Sequence, residues 1–400
     1  MAVSAAAPLP RSGPRQEVLI VTGEVSGDEH AAPLVRTLNG LMPGVHCFGM
    51  GGARLRDAGM ECLVDSERVA GVMGLTEVLG SLGGLVGAFR RLVRAAEERR
   101  PALAILVDFA EFNMLLARAL QRRGIRVMYY ISPQLWAWRR GRIHTIRRVV
   151  EHVVTIFPFE ADFYERHGVP ATYVGHPFLD RPPLQTSRTD FLAECGIAEG
   201  TRTIGLLPGS RRKEVSALLP DMLGGLTELR NTIPGLQGII PVADSLDFDW
   251  MRELTAGCEG VHLVRGRARE VLGAVDASVV ASGTATVEAA LAGAPFLVVY
   301  RVTPVTYVVG KLLVKGVKNF AMVNVIAGRE VVPELLQHQV SGARIASELT
   351  PLLLDSERRG EVQAALRQVN EQLRYRGDLD GTSSERAARV AMSLLRDEDG

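Results

Sequence analysis

The stretch TIGLLPGSRRKEV, residues 203–215, decides how the whole chain is read. Residues 203–209 form an apolar run of the kind that becomes a strand buried on both faces of a parallel sheet. The run stops at Pro-Gly-Ser, and Arg211 stands where the turn hands over to a helical pattern. The unit is strand, tight turn, helix, with one fixed cation at the carboxyl end of the strand. Outward from it the pattern repeats. Before it lie EVLIVTG (17–23), ALAILVDF (102–109), RVMYYIS (126–132), HVVTIFP (152–158) and ATYVGH (171–176). After it lie GLQGIIPVA (235–243), VHLVRG (261–266), ASVVASG (277–283) and PFLVVYR (295–301). Such alternation predicts an α/β fold with right-handed crossovers.

A Pro-, Thr-, Asp- and Gly-rich break at 177–202 reads as a linker with a short helix. The chain therefore divides into a disordered tail (1–15), one doubly wound, Rossmann-like domain (16–180), a second (181–341) and C-terminal helices (342–400). Ligands of open α/β sheets bind beyond the carboxyl ends of strands. Gly23-Glu24, Asp108, Ser132-Pro133, His176, Gly209-Ser210-Arg211 and Ser282-Gly283-Thr284 all follow strands directly, which predicts a cleft between the two domains.

Composition narrows the chemistry. The 400 residues are 47% hydrophobic and 23% charged, with a net charge of +1, so no bulk field favours nucleic acid. The four scattered cysteines form no CxxC pair, which argues for a reducing cytoplasm and against structural zinc. No run of apolar residues is long enough to predict a membrane span.

Each motif has a functional and a structural reading. VTGEVSGDEHAAPLVRTL (21–38) is a Gly-rich strand–helix turn; Gly23, Glu24 and Ser26 stand where backbone donors meet an anion, or Ser26 or Asp28 simply caps the helix. In LVDFAEFN (106–113), Asp108 is a candidate general base or the N-cap of the next helix. ISPQLWAWRRGR (131–142) sets Trp136 and Trp138 beside Arg139, Arg140 and Arg142: a stacking platform, or a packed loop with a solvated basic turn. Gly209, Ser210 and Arg211 suit a phosphate or diphosphate, with Arg212 and Lys213 on a solvated face; Glu214 closing a capping box is the structural alternative. In ASGTATVEAALAGAP (281–295), the turn Ser282, Gly283, Thr284, Ala285 and Thr286 offers hydroxyls and backbone donors, and Glu288 can chelate a ribose diol; otherwise this is a capped core helix. The Asp-x-Asp pairs 247/249 and 378/380 follow no strand end, so no metal site is expected. His176 is the histidine best placed for a ligand contact.

A different signal runs from residue 75 to 96. Leu75, Val78, Leu79, Leu82, Leu85, Val86, Phe89, Leu92, Val93 and Ala96 fall at helical spacing, softened by Gly80, Gly83, Gly84 and Gly87 and crowded by later arginines. It is either a core-facing helix or an apolar stripe for a membrane surface or acyl chains.

Taken together, VTGEVSGD, FGMGGARLRDAGME, VMGLTEVLG, DFAEFN, ISPQLWAWR, FPFE, VGHP, LLPGSRRKEV, ASGTATVEAALAGAP and NVIAGREVVPELLQ, in this order, closely resemble bacterial lipid-A-disaccharide synthase. The resemblance implies a two-domain glycosyltransferase of the B type (GT-B), without cofactor or metal. Its N-terminal domain would bind the acceptor and face the membrane, and its C-terminal domain would bind the UDP-sugar. The implied reaction joins UDP-2,3-diacylglucosamine to 2,3-diacylglucosamine 1-phosphate (lipid X), with inversion, giving the β(1→6) disaccharide 1-phosphate and UDP. Asp108 matches the catalytic aspartate, Arg211 the essential arginine, Glu288 the glutamate of the Ser-Gly-Thr helix, and Asn324 the asparagine before Ala-Gly-Arg-Glu, the last two among the residues that would bind substrate or UDP. Val78, Leu79, Leu82, Leu85, Val86 and His176 become acceptor or acyl contacts. The implied location is the cytoplasmic face of the inner membrane, bound peripherally, and the family allows a homodimer. The sequence departs from the family pattern at Phe109-Ala110, where Ala-Pro is common, and at Val323, where Pro is common. A nonhydrolysing UDP-sugar 2-epimerase, a lipid-carrier GlcNAc transferase and a silent sugar-nucleotide-binding protein are the competing readings; the stripe and SPxxWAWR disfavour the epimerase, and retention of Asp108 and Arg211 disfavours the silent protein.

Overall fold

The computed structural model describes residues 16–23, 25–67, 78–136, 140–302 and 319–396. They form two compact units, each built on its own parallel sheet. The first comprises the chain up to Asp180 and again from Tyr375; the second is Arg181–Arg374.

The first unit carries seven strands: β1 Gln16–Thr22, β2 Val45–Gly51, β3 Glu61–Asp65, β4 Leu103–Val107, β5 Val127–Tyr130, β6 His152–Thr155 and β7 Ala171–Tyr173. Their spatial order is β3-β2-β1-β4-β5-β6-β7, and every pairing is parallel. The apolar run in β4 is buried at all five positions because helices cover both faces of the sheet. One face packs Leu19, Val21, Leu106, Tyr129 and Val153 with Leu92 and Ala96 of helix Val78–Arg99 and Leu116 and Leu120 of helix Ala110–Gln121. Helix Ser383–Arg396 returns to this unit and packs on helix Val25–Leu41. It is tied down by Arg126 Nη1 donating to Leu394 O (2.5 Å), Ser383 N donating to Asp180 Oδ2 (2.7 Å) and Arg386 Nε donating to Val174 O (2.7 Å).

The second unit carries six strands: β8 Thr203–Leu207, β9 Gln237–Val242, β10 Val261–Arg265, β11 Ala277–Ala281, β12 Phe296–Tyr300 and β13 Glu334–Leu336. Their order is β10-β9-β8-β11-β12-β13, again all parallel. Helices Gly342–Leu354 and Ser356–Gln372 belong to this unit, so the C-terminal helices divide between the two units at residue 374. Their starts are capped: Ser341 Oγ accepts from Arg344 N, and Asp355 Oδ1 accepts from Glu357 N and Arg358 N.

The strand order reverses once in each sheet, between β1 and β4 and between β8 and β11. Such a switch point is where two crossovers leave in opposite directions and open a crevice at the carboxyl ends of the strands. Asp108 follows β4, Arg211 lies four residues beyond β8, and Ser282 follows β11.

Three strands are absent from the sequence reading. β2 (VHCFGMG) contains two glycines and a cysteine, β3 (ECLVD) is a half-exposed edge strand, and β13 is three residues long. None is an uninterrupted apolar run, because edge strands and close-packed glycines need no such run.

Candidate active site

At the switch point of the first sheet, Asp108 leaves the ladder in a left-handed conformation (φ 48°), and Phe109 follows with the same φ. Asp108 N still donates to Tyr130 O at 3.1 Å. Its carbonyl oxygen accepts from Asn113 Nδ2 (2.8 Å) and Tyr129 Oη (2.7 Å). The cap position of helix Ala110–Gln121 is Phe109, so the N-cap reading of Asp108 is replaced by a strained turn that displays it. The Phe109 ring stacks on Phe112, with centroids 5.2 Å apart, and occupies the space beside Gly23; a Cβ on Gly23 would collide with it. The Gly23 gap is thus filled by an aromatic ring rather than left open beside the backbone.

Glu24 lies outside the described residues, as do the tail 1–15, Leu75, Trp138 and Arg139. Ser26 is in the first turn of helix Val25–Leu41, half-buried. Asp28 does not cap that helix. It is buried and accepts from Gly52 N (2.7 Å) and Arg54 N (3.0 Å), holding the start of helix Ala53–Asp57. The described flanks of the tryptophan loop are packed: Trp136 Nε1 donates to Glu160 Oε1 (3.1 Å) and its ring meets Phe159 edge-on, while Arg142 pairs with Glu111 at 2.6 Å. Burial pushes the Glu160 carboxyl up to about 8, against the lowering effect of the Trp136 and Phe157 hydrogen bonds. His176 is 2% exposed, wedged between Phe157 and Phe178, with Nδ1 accepting from Phe178 N at 3.2 Å. That environment makes it a wall of the aromatic cluster and turns it away from solvent.

The amphipathic stripe divides. The side chains of Val78, Leu79 and Leu82 lie outside the described residues. Leu85 and Phe89 are half-buried against the core, Leu92 and Ala96 are fully buried, and Val86 is 45% exposed. From Ala88 onward the stripe is therefore core-facing, whereas Val86 and its glycine neighbours face solvent.

In the second unit, Gly209 has φ 110°, and a Cβ there would lie 2.5 Å from Glu214 Oε2; only glycine turns the chain here. Ser210 O accepts from Ser245 Oγ (2.8 Å). Arg211 is itself the N-cap residue of helix Arg212–Thr232, and its exposed guanidinium stands 3.4 Å from Glu214 Oε1. Arg212 is not simply solvated: its guanidinium covers the Trp250 ring at 4.4 Å. Ser282 N donates to Val299 O, whereas Gly283 and Thr284 are exposed ahead of helix Ala285–Ala292. Thr286 is buried, and its hydroxyl donates to Gly283 O (2.7 Å), so it braces the turn rather than facing a ligand. Glu288 Oε1 accepts from Arg181 Nη1 at 2.5 Å.

Asn324 has no exposed surface. Its Nδ2 donates to Val332 O (2.8 Å) and Glu334 Oε1 (2.7 Å); its Oδ1 accepts from Val331 N (2.7 Å) and Val332 N (3.0 Å). Glu334 in turn accepts from Phe320 N and Ala321 N. Every polar valence of this amide is used inside the unit, which makes Asn324 a staple of the 319–334 segment.

The sequence reading missed four side chains: Tyr129, which grips Asp108; Arg181, which holds Glu288; Glu160; and Tyr300. Tyr300 ends β12, is 37% exposed, and has its hydroxyl pushed above the usual phenol range by burial and by nearby Glu214. Of these, only Tyr300, an aromatic closing an apolar strand, carried a local signal. Asp247 caps helix Phe248–Leu254 by accepting from Trp250 N (2.8 Å). Among the described residues, no group of three or more acidic, His or Cys side chains is arranged to hold a metal, and no helix is long and apolar enough to cross a membrane.

Solved structures of similar shape include a putative UDP-N-acetylglucosamine 2-epimerase from Listeria monocytogenes (TM-score 0.66, 12% identity, covering 96% of this chain and 97% of that one). The glycotransferase of kitacinnamycin is also similar (TM-score 0.62, 16% identity, 96% and 100%). At such identities the likeness concerns the fold, which is GT-B-like. Sequence similarity reaches further. The lipid-A-disaccharide synthase of Geobacter sulfurreducens is 44% identical over 379 residues, 94% of this chain and 97% of its own length. That of Myxococcus xanthus is 45% identical over 382 residues, 94% and 96%. The profile of the lipid-A-disaccharide synthetase family matches residues 18–384, spanning both sheets and both switch points, and the chain belongs to that family.

Proposed function

We propose that this glycosyltransferase of lipid A biosynthesis transfers 2,3-diacylglucosamine from UDP to the 6-hydroxyl of 2,3-diacylglucosamine 1-phosphate, with inversion. Asp108 takes the hydroxyl proton as the oxygen attacks the anomeric carbon. The bond from that carbon to the diphosphate breaks, and its electron pair leaves with UDP. Arg211 meets the charge that grows on the diphosphate, since a planar fork can bind two of its oxygens. Gly209, Ser210 and the turn Ser282–Ala285 supply backbone and hydroxyl donors at two helix starts. Glu288, steadied by Arg181, accepts the ribose hydroxyls. Gly23, Glu24 and Ser26 shape the substrate side of the first sheet. In this scheme the charge is met by protein groups, without cofactor or metal.

The observation that best supports the reading is positional: within a chain of this family, Asp108 and Arg211 each stand beside the reversal of strand order of their own sheet. We propose further that the enzyme works at the cytoplasmic face of the inner membrane, as a homodimer. Acyl chains or lipid would meet the start of helix Val78–Arg99, a placement supported by exposed Val86 among exposed glycines. A 2-epimerase reading draws only on shape. Incubation of the purified protein with UDP-diacylglucosamine plus lipid X, and separately with UDP-GlcNAc, distinguishes the two by mass spectrometry and sugar analysis. A lipid disaccharide with released UDP is expected; UDP-ManNAc without disaccharide would reject the proposal.

A further inference from the structure

The turn that carries Asp108 is held in a conformation its own residues disfavour. Neither Asp108 nor Phe109 is glycine, yet both have φ of 48°. A left-handed residue bearing a Cβ is strained and persists only where its surroundings over-determine it. Here the surroundings are identifiable. The Asp108 carbonyl, turned out of the ladder, accepts from Asn113 Nδ2 and Tyr129 Oη at 2.8 and 2.7 Å. Asn113 Nδ2 also donates to Val107 O at 3.2 Å, so one amide spans the last strand residue and the turn. Both donors are fully buried. On the other side of the turn, the Phe109 ring is held between Gly23 and Phe112.

Asn113 is a costly choice for a core position. The two carbonyls facing Nδ2 fix the orientation of its amide. That leaves Oδ1 buried without a hydrogen bond from any described group. An unmet buried acceptor is destabilising, so apolar packing alone would favour leucine here. The contacts of Nδ2 are what the amide supplies and leucine cannot. They matter because the peptide plane between Asp108 and Phe109 sets the direction of the Asp108 Cα–Cβ bond, and hence of the carboxylate.

We infer that Asn113 and Tyr129 are positioning residues for the transfer: by gripping the Asp108 carbonyl they hold the left-handed turn that aims the carboxylate, and they affect turnover only through Asp108. The inference rests on the reading of Asp108 as the base.

The test is steady-state kinetics on Tyr129→Phe, Asn113→Leu, Asp108→Asn and the two double variants that combine Asp108→Asn with each of the others. Tyr129→Phe keeps the ring in the core, so it remains informative if Asn113→Leu fails to fold. A shift of about 1 Å at a reacting group can cost about 100-fold, so kcat should fall about 10-fold in Tyr129→Phe and about 100-fold in Asn113→Leu. The acceptor KM should stay within about 2-fold, because positioning acts on the transition state. In the Asp108→Asn background, neither substitution should lower the residual rate further. Full kcat in folded Tyr129→Phe, or losses that multiply in the Asp108→Asn background, would overturn the inference. Wild-type turnover by Asp108→Asn itself would instead remove the base reading on which it rests.

Discussion

Replacing Asn324 by alanine separates two roles that the sequence alone confounds. The family resemblance implies a substrate contact, whereas the geometry shows a buried staple. Asn324→Ala leaves Val331 N and Val332 N without their acceptor and Val332 O without its donor, while Glu334 Oε1 keeps the hydrogen bond from Ala321 N. The two stranded amide hydrogens weigh most. At about 1–3 kcal/mol for each buried group left unpaired, they put the loss at about 2–6 kcal/mol. For a unit the size of Arg181–Arg374, each kcal/mol lowers the melting temperature by about 2–4 °C. The transition of that unit should therefore fall by at least about 4 °C, as read by calorimetry. Turnover at low temperature, where the staple's loss is tolerated, should recover in part. A variant that melts like the wild type but has lost turnover and UDP affinity would refute the reasoning and return Asn324 to the ligand.

Three other perturbations bear on the site. Arg211→Lys should be impaired and Arg211→Ala more so, by about 3–4 kcal/mol in the turnover barrier, whereas Arg212→Ala should lose only the stacking on Trp250, a small fall in melting temperature with turnover kept; kinetics and melting on the three variants decide, and a crippled Arg212→Ala beside a healthy Arg211→Ala would mean that the wrong arginine has been assigned. Glu160 has its folded pKa raised to about 8, so its favourable contribution is complete below the unfolded value near 4.5 and is lost as pH rises through about 8, on the order of a few kcal/mol. Glu160→Gln should flatten that part of the stability–pH curve measured by denaturant titration; an unchanged slope would show that the carboxyl is ionised in the folded protein. Val86→Ser should leave melting unchanged and weaken sedimentation with anionic vesicles, whereas Leu92→Ser, at a fully buried position, should cost several kcal/mol; a collapsed melting temperature for Val86→Ser would rule out the exposed-stripe account.

The features legible in the sequence were those with a local cause. β4, β8 and β11 read as strands because burial on both faces demands unbroken apolar runs. Asp108 and Arg211 stood out because a charge follows such a run within a few residues. β2 and β3 were illegible for the opposite reason: glycines that admit a neighbouring backbone, and an edge position that tolerates polar residues, leave no periodic trace. Gly49 is the sharpest instance, since a Cβ there would collide with Ile20 O of the adjacent strand. Tyr129 and Arg181 act on Asp108 and Glu288 through space, across 21 and 107 residues of chain, and nothing local announces them. Asn324 and Thr286 are ambiguous in sequence because a polar residue near a motif looks the same whether it faces a ligand or braces a turn. Only the count of hydrogen bonds around each side chain separates the two cases.

The central claim is that the strained turn at Asp108 presents the base for disaccharide formation. Its most direct test is the rate of lipid disaccharide release by Asp108→Asn, measured by mass spectrometry beside calorimetric UDP binding on the same preparation. The account predicts a rate lower by about 10²–10⁴-fold, with UDP affinity and melting temperature unchanged. A near-normal rate, or a loss of rate that merely tracks a loss of UDP affinity, would contradict it.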